Sequence, residues 1–118
     1  MPKKEEEIDV FALDEKSKEA KKKSEHQHKR RISDLKELLR YPAGRRFIWE
    51  ELSRTGVFRS SFSLNSMQTA FQEGQRDIGL SLLRDINEAE PTAFARMQQE
   101  YISELKSQKK EEVTEDGE

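Results

Sequence analysis

The stretch Ser66–Ala89 constrains this chain most. Met67, Phe71, Gly74, Ile78, Leu82, Ile86 and Ala89 recur at spacings of three and four. That is the repeat of one helix face and not the alternation of a strand. Ser66 suits the cap of such a helix, and Pro91 limits its continuation. At about 1.5 Å per residue the element is about 35 Å long, and the other helices are expected to pack on it.

The rest of the chain offers little more apolar material. Of 118 residues, 32% are hydrophobic and 39% charged. Residues 1–29 carry eight Lys and eight Asp or Glu with few apolar anchors, and residues 107–118 are nearly all polar. The expected organisation is a charged flexible arm at 1–29, a helical domain at 30–106 and an acidic flexible tail at 107–118. The fold class is all-α: a compact small domain of about four helices, with a long central helix and disordered charged termini. A core of this size buries a modest fraction of its surface and gains from partners.

Within the arm, Ile8, Val10, Phe11 and Leu13 form an apolar island. It reads either as a local cluster or as a short docking motif that folds on a partner, with Val10 and Phe11 as its contact residues. The Lys-, Glu- and Gln-rich text that follows suits a transient helix. Ile32, Leu35, Leu38 and Leu39 predict a first stable helix over about 30–40. Pro42 fits the first turn of a second helix over 42–54, with Tyr41 extended before it. Phe47, Ile48, Leu52 and Trp49 supply its buried side, and Arg45, Arg46, Glu50, Glu51 and Arg54 its wet side. Gly56 suits a left-handed C′ position. Gly74, on the apolar face of the long helix, suits close approach by another element, and Gly79 flanks that face. Phe94, Met97, Tyr101, Ile102 and Leu105 predict a last helix over 91–106, with Pro91 in its first turn.

The middle of the chain resembles a known family. RRFIWEELSRTGVFRSSF followed by TAFQEGQRDIGLSLLRDI is similar to the Bbp19-like family of small tailed-bacteriophage proteins. The likeness rests on Gly44-Arg45-Arg46, Trp49, Thr55-Gly56-Val57-Phe58, Phe71, Glu73-Gly74, Arg76 and Gly79-Leu80, and spans about residues 35–90. It implies a phage gene expressed among virion or morphogenesis genes, with no catalytic residues attached. The expected partner is a larger virion or assembly protein, and the expected location is the host cytoplasm during infection or the virion itself.

Read for chemistry, the residues argue against an enzyme. There is no cysteine, so thiolate chemistry, disulfides and zinc–thiolate sites are excluded. His26 and His28 sit among Lys and Arg with no fixed third ligand nearby, so no metal site is expected. Glu73 and Asp77 share a helical side, but a paired-carboxylate site needs a cleft as well. No phosphate-cradling glycine loop occurs, and the serines of the helical domain lack a histidine base. No catalytic residue and no cofactor is expected. No segment approaches the roughly 20 apolar residues of a membrane span, and the charged N-terminus lacks the apolar region of a secretory signal.

Two surfaces remain. Residues 30–60 carry eight basic and four acidic side chains, a sum of +4, whereas residues 61–90 and 91–118 each sum to −3. Arg45, Arg46, Arg54 and Arg59 are the nucleic-acid candidates, and a DNA-packaging accessory role is the alternative function. Asp34, Glu37, Glu50 and Glu51 interrupt that patch, so a solvated helix surface or a protein-contact surface competes with it. The aromatic residues Phe47, Trp49, Phe58, Phe62, Phe71, Phe94 and Tyr101 are each expected in the core. Phe58, Arg59 and Phe62 are the strongest protein-interface candidates, because their connector has no secondary-structure reason to be apolar. The favoured function is thus a noncatalytic phage structural or assembly protein acting through protein–protein contacts. A small regulator of a host or phage enzyme is the third reading.

Overall fold

The computed structural model describes residues 9–116, with side-chain surroundings for 9–112. Ile8 of the apolar island, the charges before it and the last two residues of the tail lie outside the described residues. Four helices follow in order: α1 (Val10–Leu39), α2 (Pro42–Arg54), α3 (Ser66–Ala89) and α4 (Ala93–Asp116). Among the described residues there is no strand.

The bounds of α2 and α3 match the sequence reading. Pro42 opens α2 behind an extended Tyr41 (φ −107°, ψ 140°). Gly56, at φ +75°, ends it in the left-handed region. The other two helices are longer than expected. The first was expected to begin near Arg30 and begins at Val10, so most of the arm is helical. The last was expected to end at Lys106 and continues to Asp116. Lys, Glu, Gln and Ala carry high helix propensity, and neither stretch contains Pro or Gly. Pro91 precedes α4 in a turn and does not enter its first turn.

The chain divides into two compact units between Arg31 and Ile32. In the first, the Asp9 carboxylate accepts from Ala12 N–H at 3.1 Å, as an N-cap does. Lys18 pairs with Asp14 at 3.3 Å across one helical turn. Val10, Phe11 and Leu13 are exposed there.

In the second unit, α2, α3 and α4 pack on one another. The centre is Leu52, Ile86 and Met97, one fully buried side chain from each helix. Leu35 and Leu39 from the last turns of α1, with Ile48, Val57, Ala89 and Ala93, complete the core. At Gly79 a Cβ would meet the Thr55 hydroxyl and lie 3.0 Å from the Val57 Cβ, so the connector can approach α3 only at a glycine. Thr55 is itself fixed, its hydroxyl donating to Leu52 O at 2.6 Å.

Several expected core residues are outside. The α3 stripe is buried only in its second half, where Gly79, Ile86 and Ala89 are enclosed and Leu82 and Leu83 pack against the core. Met67, Phe71 and Ile78 are exposed. Part of the reason is rotation, because a step of four residues overshoots one turn by about 40° and the three steps from Gly74 to Ile86 carry the apolar line about 120°. Ala89, five turns after Phe71 and on its side of the helix, is nevertheless buried, so position along α3 matters as well. The stripe therefore shows an outer face from Met67 to Ile78, before the core contacts of α3 begin at Gly79, and an inner one after it. Gly74, on the outer one, has nothing within 4 Å of its Cβ position, so the expected close approach falls at Gly79 instead. Asn65 and not Ser66 caps α3, its side chain accepting from Met67 and Gln68 N–H. Leu38 and Phe47, read as buried, are also exposed.

Arg45 moves the other way. Expected on the wet side of α2, it is 3% exposed. Its Nε donates to Glu100 Oε1 at 2.8 Å and its Nη1 to Leu39 O at 2.9 Å. One guanidinium thus ties α2 to α4 and satisfies a carbonyl at the end of α1.

Candidate protein-contact surface

The connector Val57–Asn65 is held by its polar atoms and displays its apolar ones. Ser63 N–H donates to the Thr69 hydroxyl at 3.0 Å, and that hydroxyl has Ser63 O and Asn65 O, each at 3.1 Å, as acceptors for its one proton. Asn65 N–H donates to Ser63 Oγ at 3.2 Å, while Asn65 Oδ1 accepts from Met67 N–H at 2.9 Å and Gln68 N–H at 3.2 Å. The backbone of this corner is satisfied locally, as short hydroxyl and amide side chains allow.

With its polar groups so occupied, the corner turns large apolar side chains to solvent. Phe62 is 77% exposed, Leu64 98%, Met67 82%, Phe71 66% and Ile78 66%. On the side of α3 that continues the core-facing line, the first half carries Gln68, Gln72 and Gln75, which cannot extend the core. Single exposed hydrophobics are ordinary, but five along one connector and one helix face make a candidate contact surface.

A second aromatic group lies on α2 and α4. Trp49 stacks on Phe58 with centroids 5.2 Å apart, and tilts against Phe94 at 5.7 Å and Tyr101 at 5.5 Å. It forms one wall of a groove of about 820 Å³ lined also by Arg46, Glu50, Ser53, Tyr101 and Glu104. The Trp49 indole N–H is buried with no hydrogen-bond partner among the described residues. Among the described residues the groove lining holds carboxylates, arginines and a serine.

The structure sorts the sequence candidates. Phe58 is half turned inward on Trp49, Phe62 points outward, and Arg59 is exposed between them. Val10 and Phe11 are exposed on the first unit. Of the nucleic-acid candidates, Arg45 is enclosed by Glu100 and Leu39 O, Arg54 pairs with Glu51 at 3.1 Å, and Arg46 and Arg59 are exposed. Sequence reasoning missed Leu64, Met67, Phe71 and Ile78 as surface residues. The signal was available in the three glutamines, which occupy the side of α3 that a buried first half would have needed.

The family model described as Bbp19-like phage protein matches residues 35–99. No curated protein and no solved structure matches the chain. The matched segment includes the end of α1, all of α2 and α3, the connector between them and the first turns of α4.

Proposed function

The chain belongs to the Bbp19-like phage protein family, and from that premise we propose that it is a noncatalytic virion-structural or assembly protein. It acts through protein–protein contacts in the infected host cell, where particles are built. The observation that carries this reading is the exposed apolar surface of Phe62, Leu64, Met67, Phe71 and Ile78. Its backbone is fixed by Ser63, Asn65 and Thr69, so contact costs little ordering there. Arg59 lies on the same connector and supplies a directional charge at its rim.

The test is particle fractionation after infection with phage encoding a tagged chain. The chain should co-migrate with virions or their precursors, and Met67→Glu with Phe71→Glu should release it. A chain found with neither, although expressed and folded, would defeat the assembly reading. Salt-sensitive retention on DNA that depends on Arg46 and Arg59 would instead support a packaging accessory. Co-purification with a single enzyme and no particle would support a regulator.

A further inference from the structure

We propose that α3 pairs with α3 of a second copy of this chain, antiparallel, through Met67, Phe71, Gly74 and Ile78. The inference rests on the protein-contact reading above and names the occupant of that surface.

Gly74 is the observation that leads to it. A glycine inside a helix weakens it. Gly79 has a reason in the fold, since a Cβ there meets Thr55. Gly74 has none: a Cβ would meet nothing within 4 Å. The exposed residues around it follow the four–three–four spacing of a helix-pairing seam. That seam is self-complementary when run antiparallel about a two-fold axis midway between Phe71 and Gly74. Each Phe71 then faces the glycine of the other copy, a large side chain over a missing one. Each Met67 faces Ile78. Interlocking of large and small side chains is what brings two helices close.

The flanks agree with this register. Gln68 comes opposite Gln75, an uncharged amide pair, and Ala70 opposite Asp77. No like charges meet along the seam, and Glu73 and Arg76 point away from it on the helix wheel. The area is also sufficient. Taking about 150 Å² for a large side chain, the fractional exposures of Met67, Phe71 and Ile78 amount to roughly 320 Å² per copy. Phe62 and Leu64 at one end of the seam bring the apolar surface to on the order of 600 Å² when they are covered too. A standard stable interface covers roughly 800 Å² per partner, so the expected product is a reversible dimer near the lower end of that class.

Sedimentation velocity and light scattering on the full chain test this. The wild type should move from the 13.9 kDa monomer towards twice that mass as concentration rises. Phe71→Glu should weaken dimerisation at least tenfold. Gly74→Leu should do the same while keeping or raising helicity by circular dichroism, because the free chain has room for the side chain. The register has its own test, made clean by the absence of native cysteine. Mixed Met67→Cys and Ile78→Cys chains should form the mixed disulfide, and Met67→Cys alone should not link to itself. A chain monomeric at several hundred micromolar would overturn the dimer. So would a dimer indifferent to both Phe71→Glu and Gly74→Leu, or self-linking of Met67→Cys. The contact reading fails separately, if stripe variants leave particle association unchanged.

Discussion

Removing Glu100 should destabilise this protein more than removing Arg45, although the two form one ion pair. Arg45 is 3% exposed, whereas the Glu100 side chain is 34% exposed. Glu100 has a second partner, Arg96 Nε at 3.2 Å. Arg45→Met therefore leaves a carboxylate with water and another arginine. Its main loss is the hydrogen bond to Leu39 O, a buried acceptor at the end of α1, worth about 1–3 kcal/mol. Methionine retains much of the apolar stem. Glu100→Ala strands a guanidinium that cannot deprotonate in a site it cannot leave. Breaking a buried pair in that way costs about 3–5 kcal/mol, and the partial exposure of Glu100 places this case near the lower figure.

Urea and thermal melts of the two single variants and the double variant form a mutant cycle. At about 4–8 °C per kcal/mol for a domain of this size, the difference between the singles should be visible in Tm. The double variant should be less destabilised than the sum of the two, because Arg45→Met removes the charge that Glu100→Ala strands. If Arg45→Met costs as much as Glu100→Ala or more, the asymmetry of burial is not what sets the energy. Additive singles would show that the pair is not coupled.

Other outcomes follow from the same packing. Ile86→Ala, at a fully buried site, should cost about 2–5 kcal/mol in a urea melt, whereas Phe71→Ala at low protein concentration should stay within about 0.5 kcal/mol. Gly74→Ala should stabilise the dilute chain by up to about 1 kcal/mol through helix propensity. Gly79→Ala should destabilise it, because the new methyl group meets the fixed Thr55 hydroxyl. The Glu90 carboxyl is held below its ordinary value by the hydroxyl and N–H of Thr92, both donating to Oε1. A depressed folded-state pKa adds stability that is complete above the unfolded value of about 4.3 and is lost as pH falls through the folded value. The Tm difference between wild type and Glu90→Gln should therefore shrink on acidification through that window.

The helices were legible because their signals are local. Pro42 behind Tyr41 and Gly56 after Thr55 fix both ends of α2 by backbone chemistry alone. The misplaced ends of α1 and α4 have a different origin. Apolar periodicity reports where a helix packs, and propensity reports where it can continue without packing. Residues 10–29 and 107–116 carry little apolar periodicity, so only the second signal could announce them. Which aromatics enter the core was not legible. The centre is filled by Leu52, Ile86 and Met97, and Phe47, Phe62 and Phe71 remain outside it. A core where three helices meet, closed by Ala89 and Ala93, favours slender side chains over broad rings.

The candidate contact surface was half legible, and the missing half was partly a matter of angle. Phe58, Arg59 and Phe62 drew notice because a loop has no internal use for such residues. Met67, Phe71 and Ile78 escaped notice because a helix ordinarily does have one. Spacing by three and four says that residues share a side of a helix only while the two steps alternate. From Met67 to Ile78 they do, and the line stays straight. From Gly74 to Ile86 every step is four, and the line winds about a third of a turn around the helix. Leu82 and Ile86 are thereby turned inward, whereas Ala89, back on the side of Phe71, is buried because it lies at the end of α3 where the core is. Placing the glutamines on the wheel identifies the outward half, since Gln68, Gln72 and Gln75 fill the side that a core-facing first half would require. Arg45 is the complement of this case. A charged residue reads as wet unless a partner is known, and its partner Glu100 is 55 residues away, brought within reach only when α4 folds back on α2.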